Sequence, residues 1–276
     1  MEKNIFAITL LSHSNNTLLF HTLKNLFLNT DFSLINVNFF ILLQNCNESY
    51  INKIDDIISS FQKSIPDFSS NLIFEKIILN NNIGLSKANN VLYRKTINFE
   101  YVLHIEDDWI LIHDNKDWLN ICLNILINNT TLSTIYLRKY STDKEKWQYG
   151  WCRTIIYNCH KNENNFNYST KLVKIDDNFT QIKNFLFTFN PNIRRNKDYI
   201  ECGAYPLEEF NDIDKNCYFK EIKIHDAEYW GHCEAIAMEK IINLNTYMYK
   251  DGIFIHYDDW DDKLSLFCKY SDIFKF

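Results

Sequence analysis

A chain of 276 residues, 46% hydrophobic and 16% aromatic, has enough apolar material for a sizeable core and falls at the size of one large domain or two small ones. Its formal charge of −6, without a Lys/Arg run, argues against a nucleic-acid partner bound through a basic face. Eight cysteines with no Cys-x-x-Cys pair and no regular spacing exclude a zinc ribbon and a disulfide framework, leaving free, mostly buried thiols in a reducing compartment.

The first apolar run, Ile5 to Leu11, is too short to span a membrane and lacks the basic start and small-residue cleavage site of a signal peptide. It reads as a strand, and the expected location is cytoplasmic, the host cytoplasm if the chain is viral. The abundance of Asn, Ile and Lys beside five glycines fits an AT-rich coding genome, such as that of a giant virus or a low-GC microbe, and carries no mechanism. A segment capped by Ser14 or Asn15 follows, with Leu18, Leu19, Thr22, Leu23, Leu26 and Phe27 at helical spacing. VNFFILL (37–43) reads as the second strand. It precedes a helix opened by Ser49 that carries Ile51, Ile54, Ile57, Ile58 and Phe61 and stops before Pro66. LIFEKIIL (72–79), the loop NNNIG, a helix over 86–96 and the strand YVLHI complete a strand–helix alternation. Such alternation predicts an α/β fold, a mostly parallel sheet with helices on both faces, whose ligands bind at the carboxyl ends of the strands.

The pattern then changes. Trp118, Ile121, Cys122, Ile125 and Leu126 space out one more amphipathic helix, and TIYLRKY (134–140) reads as a strand. Residues 157–183 are polar and Asn-rich and read as loops, hairpin strands or a flap. A helix near 232–243 and a strand-like stretch TYMYKDGIFIHY (246–257) close the chain. With no repeat and no Pro/Gly/Ser-rich linker, residues 1–276 read as a single domain in two parts, a Rossmann-like part over 1–113 and a smaller α+β portion over 114–276.

The stretch YVLHIEDDW drives an apolar strand straight into Glu106, Asp107 and Asp108. Alternation along an extended chain points Glu106 and Asp108 one way and Asp107 the other. Paired carboxylates at a strand end suit Mg2+ or Mn2+, which takes one or two protein carboxylates and fills its remaining positions with water and phosphate oxygens. The bland alternative is a helix-capping or solvated cluster. Against it stand the cost of a buried strand, the nearby Asn80–Gly84 loop with its permissive glycine, and His256 at the end of another apolar strand, whose imidazole is a good Mn2+ ligand.

Taken together, AITLLSHS, NIGLSKANN (Asn82 to Asn90), the acidic triplet and the segment Gly252 to His256 resemble the GT-A glycosyltransferases, in the pattern of family 2. The resemblance implies a GT-A fold, with 1–113 as the nucleotide-sugar-binding half and 114–276 as the acceptor-binding, metal-completing half. It implies a UDP-sugar or GDP-sugar donor, a divalent cation (Mn2+ or Mg2+), and a glycan, protein or small-molecule hydroxyl acceptor in glycan biosynthesis. The donor would lie against Thr9, Leu11, Ser12, Gln44, Asn82, Gly84, Lys87, Asn90, Glu106 and Asp107. Asp108 would bind the metal, in the place of an Asp-x-Asp motif, with Glu106 and His256 as further ligands. The second strand of this family usually delivers an Asp to the base, whereas FILLQNCNE offers Gln44, Asn45, Asn47 and Glu48.

Inverting transfer, the expected course, needs a carboxylate to take the acceptor proton. Glu234, at the start of the late helix, is the first candidate and Glu228 the reserve, each also readable as an ordinary helix-end acid. Trp151 and Trp230 are candidates for a sugar platform, with packing roles more common for such rings. Arg138, Arg153 and Arg194-Arg195 read as ion-paired surface residues rather than phosphate ligands. Two alternatives stand beside this reading: a nucleotidyltransferase, disfavoured because SHSNNT has neither glycine nor a basic residue, and an inactive relative that binds a nucleotide sugar or glycan.

Overall fold

The computed structural model describes residues 5–64, 71–139, 171–175, 179–183, 191–207, 209, 237, 240–241, 243–249 and 252–257. The first half follows the expected alternation: β1 (Phe6–His13), α1 (Leu18–Leu28), β2 (Val37–Gln44), α2 (Glu48–Ser64), β3 (Leu72–Leu79), α3 (Leu85–Thr96) and β4 (Tyr101–Glu106). After it come β5 (Trp109–Leu111), α4 (Trp118–Asn128), β6 (Leu132–Tyr136), β7 (Lys171–Lys174), β8 (Phe179–Lys183), β9 (Asn192–Arg195), α5 (Asn196–Glu201), β10 (Asn245–Tyr249) and β11 (Phe254–His256).

One sheet runs in the order β3-β2-β1-β4-β9-β6-β10-β8-β7, and β11 pairs with β5 in a small second sheet. Every strand of the large sheet except β8 and β9 runs in the direction of β1. The central strands are apolar on both sides because both sides are covered. Phe6, Ile8 and Leu10 pack with the apolar stripes of α1, α2 and α4, while Ala7 and Leu11 pack with Ala88 and Leu92 of α3. The expected α/β fold with helices on both faces is therefore present. From β1 the chain steps outward to β2 and β3 and then returns to the other side of β1 as β4. The strand order thus reverses between β1 and β4, which is where such sheets open a binding crevice.

Several local expectations are corrected. Ser14 and Asn15 do not cap α1: both have positive φ (54° and 57°), and it is Asn16 Oδ1 that accepts a hydrogen bond from Leu18 N at 3.1 Å. The stretch 246–257 is two strands in two sheets, broken where Gly252 takes φ +66°. A Cβ on Gly252 would overlap the backbone of Lys139, so that turn requires glycine. Strand β6 ends at Tyr136, and Arg138 makes only an isolated bridge to Phe254. Arg138, Arg194 and Arg195 are buried rather than on the surface, with relative exposures of 5%, 3% and 4%. Cys46, Cys122 and Cys202 are free thiols among the described residues. The described residues contain no helix long and apolar enough to cross a membrane.

Candidate active site

Four strand ends meet at the crevice. After β1, Ser14 N donates to Gln44 O (2.9 Å) and Asn15 Oδ1 accepts from Asn47 N (2.9 Å), tying the first loop to the second. After β2, the buried Gln44 holds the third loop, its Oε1 accepting from Ile83 N at 2.9 Å. Asn82 Oδ1 accepts from Gly84 N (2.9 Å), and Gly84, with φ +84°, opens α3. Lys87 lies half-buried in the first turn of that helix.

The acidic triplet does not continue the strand alternation. The pairing of β4 with β1 ends at Leu11 opposite Glu106, and residues 107 and 108 form a turn. Each acid therefore meets a different environment. Glu106 is half-buried at the strand end. Asp107 is buried against β1: Ser12 Oγ donates to its Oδ2 at 2.6 Å, and Ser12 also lies 3.3 Å from Tyr50 Oη, which donates to Asn16 O at 2.5 Å. Burial pushes the Asp107 carboxyl up to about 6, with Asp108 adding to the rise and the Ser12 bond opposing it. Thr22 Oγ1 of α1 donates to Asp107 O at 2.9 Å.

Asp108 is met by the far end of the chain. Its Oδ2 lies 3.0 Å from His256 Nε2, and its carbonyl accepts from Tyr257 N at 2.9 Å. His256 is placed by the β5–β11 ladder, where it is paired with Trp109, and its ring meets the Trp109 indole edge-on at a 5.0 Å centroid distance. The Arg138 guanidinium lies over that indole, 5.2 Å from the ring centroid. Asp108 Oδ1 is buried and has no hydrogen-bond partner among the described residues.

Of the residues expected to touch a cation, the structure brings Asp108 and His256 together. Among the described residues no group of three or more His, Cys, Asp or Glu is close enough to hold a metal ion, so Glu106 does not complete a three-residue cluster with them. Of the expected donor residues, Ser12, Gln44, Asn82, Gly84, Lys87, Glu106 and Asp107 gather at the strand ends. Thr9 lies one layer deeper, its Oγ1 2.9 Å from His104 Nδ1, and the Leu11 side chain is in the core under α3. Asn90 is buried and engaged from both ends of its amide: Nδ2 donates to Leu207 O (2.8 Å) and Oδ1 accepts from Leu207 N (2.7 Å). Glu228, Glu234, Trp151, Trp230 and Arg153 lie outside the described residues. Sequence reasoning missed Tyr50, Asn16 and Asn25 as site-building residues. Asn25 left a readable trace, a polar side chain three residues after Thr22 on the apolar stripe of α1.

Comparison with solved structures defines the class: the chain has the GT-A fold. The structure of S. aureus TarS 1-349 matches with a TM-score of 0.52 at 12% identity, over 91% of this chain and 60% of that one. The same TarS fragment in complex with UDP gives 0.53. GalNAc-T7 with UDP, GalNAc and Mn2+ gives 0.53 at 7% identity, over 92% of this chain and 44% of that one. The chain thus spans less than two thirds of the length of either. No protein-family model matches the sequence, and no curated protein does.

Proposed function

We propose that this chain is a metal-dependent glycosyltransferase that moves a sugar from a nucleoside-diphosphate sugar, UDP-sugar before GDP-sugar, to a hydroxyl acceptor. The observation that carries this reading is the pairing of Asp108 with His256 at 3.0 Å, at the carboxyl end of β4 where the strand order reverses. The UDP complex of TarS and the UDP, GalNAc and Mn2+ complex of GalNAc-T7, both on this fold, support the donor and metal classes.

A divalent cation fits the pair. Asp108 Oδ1 is a buried carboxylate oxygen without a hydrogen-bond partner among the described residues, and carboxylate oxygen with imidazole nitrogen is a donor set Mn2+ accepts. Two protein ligands leave positions for diphosphate oxygens and water. Bound there, the cation would neutralise the charge that gathers on the diphosphate as the sugar leaves. The chain's own residues bind and orient the donor. The amino end of α3, opened by Gly84 and carrying Lys87, offers positive potential at the same edge of the sheet. On the sequence resemblance Glu106 contacts the ribose, and the Ser12–Asp107 bond braces the first strand against the acidic turn. On the sequence resemblance, Glu234 takes the proton of the acceptor hydroxyl in an inverting reaction, with Glu228 in reserve.

A panel of UDP-sugars and GDP-sugars, scored for nucleotide release with and without Mn2+, tests the proposal. Release from one donor is expected with Mn2+ and is expected to vanish in Asp108→Ala. Glu234→Gln should bind donor and not transfer; an active Glu234→Gln enzyme removes that base. Metal-dependent donor binding with no release from any donor would instead make the chain a non-catalytic nucleotide-sugar binder.

A further inference from the structure

Helix α1 buries two polar side chains, Thr22 and Asn25, on the face that otherwise buries Leu19, Leu23 and Leu26. Three residues apart, they share one side of the helix. Neither residue type favours a helix interior, so helix stability does not account for them. Their hydrogen bonds do. Thr22 Oγ1 donates to Asp107 O at 2.9 Å, and Asn25 Oδ1 accepts from Leu111 N at 2.6 Å. The two bonds bracket Asp108, one on the residue before it and one on a residue shortly after.

Between those bonds the chain leaves one ladder and enters another. The pairing of β4 with β1 ends at Glu106, and the pairing of β5 with β11 begins with Trp109 opposite His256. The turn at 107–108 is a bridge between two sheets; α1 holds it directly at Asp107 and holds the strand that follows it at Leu111, while Tyr257 N donates to the Asp108 carbonyl. Asn25 Nδ2 has no hydrogen-bond partner among the described residues, so the bond to Leu111 is what offsets the burial of that amide.

We propose that Thr22 and Asn25 are positioning residues of the metal site, fixing the Asp107–Leu111 segment so that the Asp108 carboxylate and the His256 imidazole meet. The inference rests on the metal role proposed for Asp108. Partners that orient metal-binding groups change metal affinity by about 10- to 100-fold when removed.

The test uses Thr22→Val, which keeps the shape and loses the hydroxyl, Thr22→Ser, which restores it, and Asn25→Leu, which removes the acceptor. One readout needs no metal: the His256 ring nitrogen resonances of the metal-free protein, which report the bond to Asp108. The other is the Mn2+ concentration for half-maximal UDP binding. Thr22→Val and Asn25→Leu should raise that concentration about tenfold and move the His256 resonance toward that of Asp108→Ala, with Thr22→Ser near wild type. A lowered melting temperature with both readouts unchanged overturns the proposal, since α1 would then only stabilise the fold. Should Thr22→Val fail to fold, Asn25→Leu carries the same test. A wild-type protein whose UDP binding ignores Mn2+ would sink the metal role itself, while the His256 resonance would still decide whether α1 sets the Asp108 geometry.

Discussion

Asp108 Oδ2 and His256 Nε2 lie 3.0 Å apart although 148 residues separate them in the chain. The contact joins the end of the fourth strand to the last described strand, across the seam between the large sheet and the β5–β11 pair. His256 reaches Asp108 because its backbone is laddered to Trp109, the very next residue. A geometry built from one ladder and one turn is therefore open to separate attack from either side.

Replacing Asp108 by Ala removes the carboxylate oxygen that lies buried without a partner among the described residues as well as the one facing His256. If several kcal/mol of charge stabilisation come from a cation held there, turnover falls about 1,000-fold or more. Stability should change by less than about 1 kcal/mol, because the residue is partly exposed and unfolding returns it to water. His256→Ala should weaken Mn2+-dependent UDP binding without abolishing it. Isothermal titration with UDP, with and without Mn2+, measures both.

The fold was most legible where residues are buried on both faces. VNFFILL and YVLHIE show as largely apolar runs because β2 and β4 lie inside a mostly parallel sheet covered on each side. NIRR hid β9 completely. Its arginines read as solvent-facing charge, yet Arg194 lies over the Tyr199 and Tyr205 rings and Arg195 is ringed by carbonyl oxygens, so a polar string occupies the middle of the sheet. The break in 246–257 was hidden because a lone glycine in a strand pattern does not reveal whether it bends the chain. Asp108 and His256 were found as types suited to a cation, but their meeting depends on that same break, and the turn at 107–108 upset the simple alternation expected of the three acids.

Gly252→Ala probes that break. The residue has φ +66°, and an added Cβ would overlap the Lys139 backbone, so both the turn and the segment that carries Lys139 must shift. A loss of about 1–3 kcal/mol is expected by urea unfolding. Because His256 is carried on the strand that follows, weaker Mn2+-dependent UDP binding should accompany it. Gly84→Ala is the contrast: φ is +84°, but nothing lies within 4 Å of the added Cβ, so only backbone strain is introduced and the His256 ladder stays in place.

Two buried groups give pH dependences of opposite sign in metal-free protein. Burial raises the Asp107 carboxyl from 3.8 to about 6, so its contribution is fully present below pH 3.8 and is lost as pH rises through 6. Asp107→Asn should then be more stable than wild type above pH 6, by on the order of 2 kcal/mol, with the gain fading towards low pH. Burial, with Arg194 adding, lowers His104 from 6.5 to about 3; the unfolded chain takes up the proton first, and stability is lost as pH falls below 6.5. His104→Asn should flatten that acid limb. Urea midpoints across the range, with EDTA present, read both slopes.

Arg195 shows what a buried cation does in this sheet. Its guanidinium donates to Tyr101 Oη (2.9 Å), Leu126 O (2.5 Å) and Asn129 O (3.1 Å), and ion pairs reach Asp198 (3.6 Å) and Glu100 (3.9 Å). Leu126 and Asn129 stand at the carboxyl end of α4, where carbonyls lack partners within the helix, so one side chain caps α4 and fastens it to β4 and β9. Arg195→Met removes the donors while keeping much of the bulk, and leaves the buried Leu126 carbonyl without this partner. A loss of about 3–5 kcal/mol follows. Arg195→Lys retains the charge but not the planar fork that reaches several acceptors at once, and should recover only part of it. Chemical denaturation of the two variants checks the order, and the Mn2+ concentration for half-maximal UDP binding should stay at the wild-type value in whatever fraction remains folded, because none of these contacts involves the turn at Asp108.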